Sequence, residues 1–119
     1  MGERGFDLEE RTSRFGENVI LLVKKISRTP TNQILMDQIV RSATSVGSNY
    51  MEATAAESRK DFLHKISLCK KEAKESRHWV RMLVVENPDM SPELLILQRE
   101  AHELTLIFSA IVGKIRQKT

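Results

Sequence analysis

The amino-acid sequence predicts an all-α fold, an antiparallel up-down-up-down four-helix bundle that takes in residues 1–119 as a single domain. Three observations predict it. Apolar residues recur at alternating steps of three and four in four separate segments, which keeps one face of each helix turned inward. The breaks between segments hold Pro, Thr, Ser and Asn. The connections are short, so consecutive helices must run antiparallel as neighbours. No segment sustains a period of two, and no strand is expected.

The first helix is expected over about residues 7–28, with the stripe Leu8, Thr12, Phe15, Val19, Leu22, Ile26. "RTPTN" interrupts the chain after it, and Thr31 is a candidate cap for the second helix. The second is expected over about residues 32–56, along Leu35, Ile39, Ala43, Val46, Tyr50 and Ala53. The third, over about residues 59–86, follows Phe62, Ile66, Cys69, Ala73, Ser76, Val80 and Leu83. Ser58 precedes it, with Asp61 three positions on, close to a capping box. "ENPDMSPE" separates the third helix from the fourth, where Ser91 is a candidate cap and Pro92 suits the first helical position. The fourth, over about residues 92–116, runs through Leu94, Leu97, Ala101, Leu104, Phe108, Ile111 and Ile115. Lys114, Arg116 and Lys118 suit the negative end of its dipole.

One stretch fits poorly by propensity. "RSATSVGSNYMEA", Arg41 to Ala53, is rich in small, β-branched and hydroxyl residues that disfavour a helix. It nevertheless continues the stripe of its flanks. Beside that stripe runs a second line: Gln38, Ser42, Ser45, Asn49, Glu52 and Ala56. Such a face lets a neighbouring backbone come close and offers it hydrogen bonds.

With 40% hydrophobic residues, a chain of 119 residues can build one core. No apolar run is long enough to span a bilayer, and the charged N-terminal stretch has no signal-peptide character. No membrane association is expected. A single cysteine, Cys69, excludes an internal disulfide and suits a reducing cytoplasm. The net charge of +3 is compatible with nucleic acid as a partner without pointing to it.

The third helix divides its surface in two. One flank carries Leu68, Glu72, Glu75, Trp79 and Met82, more apolar surface than a monomeric bundle leaves in water. This predicts contact between copies of the chain; the alternative is a wide core face with the glutamates at its rim. The glutamates then need partners, and Arg41, Ser45 and Asn49 are the candidates. The solvent side carries Lys60, Lys70, Lys71, Lys74, Arg77 and Arg81. Lys70, Lys74, Arg77 and Arg81 follow steps of four, three and four, which makes a ridge able to track phosphates. An ordinary solvated face has the same composition. No aromatic residue is interleaved with the ridge, so stacking of single-stranded bases is not expected.

Catalytic patterns are weak. "SLCK" at Ser67 to Lys70 fits Ser-x-x-Lys without the companion motifs of that chemistry. "ESRH" at Glu75 to His78 fits one step of a di-iron bundle, yet "EAHE" at Glu100 to Glu103 has the wrong spacing for a second. No catalytic residue, metal-ligand set or cofactor is expected.

The segments "FDLEERT", "RSATSVGSNYMEA", "AESRKDFLHKISLCKKEAKESRHWVRML" and "EAHELTLIFSAIVGKI" resemble the bacterial four-helix-bundle family that includes proteins encoded in 23S ribosomal RNA intervening sequences. More distantly, the chain is similar to the accessory variability proteins of diversity-generating retroelements. The resemblance covers Phe6 to Lys114. Its most specific positions are Arg41, Ser42, Ser45, Asn49 and Glu52, then Glu72, Glu75 and Trp79. It implies an antiparallel bundle assembled as a ring, typically a pentamer, with no activity known for most members. The retroelement relatives are basic rings that bind nucleic acid and a reverse transcriptase. It also implies structural or interfacial roles for Arg41, Ser45, Asn49 and Glu52. The expectation is therefore a non-enzymatic homo-oligomer that contacts RNA or DNA through phosphates. The alternative is a scaffold for a protein partner with no nucleic-acid role.

Overall fold

A computed structural model describes residues 2–117, with side chains described for residues 8–117. The chain forms α1 (Gly2–Val23), α2 (Pro30–Thr54), α3 (Arg59–Glu86), a single 3₁₀ turn (Pro88–Met90) and α4 (Ser91–Gln117). There is no strand among the described residues. Each helix packs on its neighbours in sequence, and α4 closes back on α1 through a thinner seam. The result is the expected up-down-up-down bundle. Lys118 and the side chain of Phe6 lie outside the described residues.

The stripes become the core. Phe15, Val19, Ile39, Val46, Ile66, Val80, Leu94, Leu104 and Phe108 are all at most 1% exposed. Tyr50 and Phe108 meet with ring centroids 6.2 Å apart, at a tilt of 45°. On α4 the inward row ends on Val112, with Ile111 and Ile115 only half-buried. A period of 3.6 drifts against alternating steps of three and four, so the row leaves the expected register after Phe108.

Helix ends differ from expectation at three points. α1 stops at Val23 rather than near residue 28. Tighter bonds, Lys25 N–H to Leu22 carbonyl at 2.9 Å and Ile26 N–H to Val23 carbonyl at 3.1 Å, turn the chain out of the helix. Ile26 stays in the core from this turn, so its place in the stripe does not require a helix. The cap of α2 is Thr29, not Thr31: its hydroxyl accepts from the Asn32 backbone N–H at 3.1 Å, and Pro30 opens the helix. Ser91 does not cap α4. It is the first helical residue, and its hydroxyl donates to the Pro88 carbonyl at 2.7 Å. Ser58 caps α3 as expected, accepting from the Asp61 N–H at 2.9 Å.

Gly16 and Gly47 explain the slim middle of α2. A Cβ on Gly47 would stand 3.5 Å from the Thr12 backbone of α1, and one on Gly16 would stand 3.4 Å from Thr44 Cα. Neither glycine has positive φ. They serve the close approach of α1 to α2, not a turn. The opposite flank of α2 meets α3, where the Ser76 hydroxyl donates to the buried Ser42 hydroxyl at 2.8 Å.

Candidate nucleic-acid interface on α3

Ion pairs sort the charges of the bundle by seam. Between α2 and α3, Arg41 reaches Glu72 at 3.2 Å and Glu75 at 2.7 Å, and Glu52 pairs with Lys65 at 2.8 Å. Between α1 and α4, Arg11 forks onto Glu100 at 2.7 and 2.8 Å and adds Glu103 at 2.9 Å. The Glu100 bond holds the Arg11 guanidinium further above its already high range. Glu72 and Glu75 of α3 thus turn toward α2, and Glu100 and Glu103 of α4 turn toward α1.

The remaining flank of α3 faces α4 and solvent, and it keeps its cations. Lys60, Lys71, Lys74, Arg77 and Arg81 are exposed and Lys70 is half-buried. None of the six has a hydrogen-bond or ion-pair partner among the described residues. Arg11, Arg14, Arg41 and Lys65 are paired with carboxylates, while Lys24, Lys25, Arg28, Arg99 and Lys114 outside α3 are not paired among the described residues, so what sets α3 apart is the gathering of six unpaired cations on one helix. Lys70, Lys74, Arg77 and Arg81 lie along one ridge, as their spacing predicts.

The residues expected at an interface separate into two groups. Arg41 and Glu52 bridge α2 to α3. Ser45 and Asn49 bond their own helix instead: Ser45 Oγ donates to the Arg41 carbonyl at 2.7 Å, and Asn49 Nδ2 donates to the Ser45 carbonyl at 2.9 Å. Arg41 keeps 48% of its side chain exposed while Glu72 keeps 14%, so within one chain this is a surface network over a largely buried carboxylate. Leu68, Trp79 and Met82 are half-buried rather than open. The large apolar side chains most open to water are elsewhere: Ile34 at 65% and Met51 at 61% on α2, Val85 at 76%, and Ile96 at 65% on α4. Ile34 sits two turns from Arg41 on the same side of α2.

Two features escaped the sequence. Glu100 and Glu103, noted there only for a failed di-iron spacing, are the anchor for Arg11. His78 and Trp79 stand against the basic flank: with Lys71, Lys74 and Glu75 they line a hollow of about 310 Å³. No group of three or more His, Cys, Asp and Glu side chains is placed to hold a metal among the described residues. No helix among them is long and apolar enough to cross a membrane.

The sequence model of the 23S rRNA-intervening sequence proteins matches residues 6–109. The chain belongs to that family. The chain is also similar to a solved protein of unknown function from the S23 ribosomal protein family of Bacteroides thetaiotaomicron. The two share 26% identity with a TM-score of 0.80, over 88% of this chain and 97% of the other. Curated proteins give no match.

Proposed function

We propose that this family member is a non-enzymatic, homo-oligomeric helical bundle that binds RNA or DNA through phosphate contacts without reading base sequence. The observation that carries the proposal is the row of six cations on one helix, α3, left without carboxylate partners among the described residues, where the seam cations Arg11, Arg41 and Lys65 are paired. Fixed, unpaired cations at helical spacing can displace the counterions of a phosphate chain. No helix end or loop presents an array suited to base edges, so affinity is nearly indifferent to sequence. Assembly repeats the row and raises the field. The number five comes from the resemblance, and the face offered for assembly is the α2–α3 side with Ile34, Arg41, Leu68 and Met82.

The test is a salt series with generic RNA and DNA on wild type and on a Lys74→Glu, Arg77→Glu double variant. The variant should bind more weakly and with a flatter salt dependence, at unchanged helicity. Equal binding by the two proteins at one salt places the site elsewhere. No binding at low salt favours a second reading, a scaffold for a protein partner, which the open Ile34, Met51 and Ile96 support. Light scattering at micromolar concentration tests assembly separately, and a monomer would overturn it.

A further inference from the structure

The hollow on the outer surface of α3 adjoins the ridge and shares Lys74 with it, and its chemistry is different. Its walls are mostly apolar, formed by Trp79 and the carbon stems of the residues one and two turns before it. The His78 ring stands edge-on to the Trp79 indole, with centroids 5.0 Å apart and planes at 68°. Trp79 Nε1 is shut off from solvent. The indole is therefore seated by its polar edge, and its remaining surface is what the hollow offers. Lys71 and Lys74 rise at the rim with no carboxylate partner among the described residues. The one acid in the lining, Glu75, is already held by Arg41 at 2.7 Å, so its charge is largely answered.

We infer that this hollow takes a nucleobase of a single-stranded RNA or DNA, stacked against the Trp79 indole beside the His78 ring, with the adjoining phosphates on one side held by Lys71 and Lys74. The inference rests on the phosphate-binding reading above and adds a ligand class to it. An aromatic face with two unpaired cations one and two turns before it on the helix complements a planar base and the phosphates on one side of it, and every base has a π-face to offer. At about 310 Å³ the hollow is at the small end of ligand sites, sized for one planar group and not for a peptide helix. A duplex keeps its bases stacked inside and cannot fill it. Binding is thus selective for strandedness and indifferent to sequence.

The chain has one tryptophan, so its intrinsic emission reports on this hollow alone. The full chain would be titrated at low salt with three probes of equal length: an oligothymidylate, an abasic single strand and a duplex. All three should bind through phosphate. Only the oligothymidylate should quench the emission, and it should bind on the order of tenfold tighter than the abasic strand. His78→Ala, at an exposed position, should lose part of that preference at unchanged helicity. Equal affinity for oligothymidylate and abasic strand, with emission unmoved, overturns the inference and leaves phosphate binding standing. A free protein whose Trp79 emission neutral acrylamide fails to quench has that indole covered by a neighbouring copy, and this overturns the inference as well. Failure of all three probes to bind overturns both readings.

Discussion

Asn32 and Asn87 are 55 positions apart and hold each other by two side-chain hydrogen bonds, at 2.9 and 2.8 Å. Both are buried, and each adds a bond to a nearby carbonyl, of Ser27 and Leu83 respectively. The pair ties the α1–α2 connection to the end of α3. Asn87→Ala strands the Asn32 side-chain oxygen, and should cost about 2 kcal/mol in chemical denaturation. Adding Asn32→Ala should cost less than a second full penalty, because the stranded group is then gone. A thiol makes a sharper case. Cys69 is fully buried, and desolvation pushes its pKa up to about 12 from an ordinary value of 9.0. Below the ordinary value both states hold the proton and pH has no effect through this group. Above it the unfolded chain loses the proton first, so stability falls as pH rises toward the folded value, by at most about 1.4 kcal/mol per unit. Urea midpoints at pH 8 and pH 10 should fall further for wild type than for Cys69→Ala, and a thiol reagent should react only after unfolding. The sequence places Cys69 correctly, because a stripe records burial. It does not reveal the asparagine pair, since a polar residue in the first turn of α2 and another at the cap of α3 carry no periodicity that points from one to the other.

At the level of the helix, space matters more than propensity. Gly47 sits in regular helix, where glycine costs roughly 0.5–1 kcal/mol relative to alanine. A Cβ there would meet the Thr12 backbone at ordinary contact distance. Gly47→Ala should therefore raise the melting temperature slightly. Gly47→Leu should lower it, by about 1–3 kcal/mol of stability, because the added atoms must push α1 away. If leucine is tolerated, the close α1–α2 approach does not hold in solution. The α2–α3 seam is different in kind. Arg41→Ala removes a fork that is half in solvent, so its cost in an isolated chain should be about 1 kcal/mol. A loss several times larger, present only where light scattering finds an oligomer, would show that a neighbour buries the network. Element order and type were legible because each stripe persists through its segment, even where "RSATSVGSNYMEA" argues against helix. The end of α1 was not legible, because Ile26 stays apolar and buried after the helix has turned away. The Arg11 fork was also hidden. Glu100 and Glu103 read as ordinary surface acids until α1 is set against α4.

Across the whole molecule, the acids interleaved with the basic ridge along α3, Glu72 and Glu75, are held by Arg41 in the α2–α3 seam, and the ridge stays unpaired among the described residues. The ridge from Lys70 to Arg81 covers eleven helical steps, or about 16 Å. One strand of a duplex presents a phosphate every ~3.4 Å along its axis, so the ridge passes about five of them. Its four cations set a ceiling of four contacts for the ridge alone. The logarithm of the binding constant should then fall with the logarithm of salt at a slope of up to about 3.6 for a duplex in contact with one ridge. For a single strand the smaller charge density lowers that ceiling to about 2.8. The Lys74→Glu, Arg77→Glu variant removes two contacts and should flatten the duplex slope by about 1.8. The slope also reports assembly. Values well above the ceiling of one ridge require several chains on one nucleic acid, and they should fall back toward it in any variant that disperses the oligomer without touching α3. An unchanged slope in such a variant would mean that one ridge acts alone and that the ring contributes no binding surface.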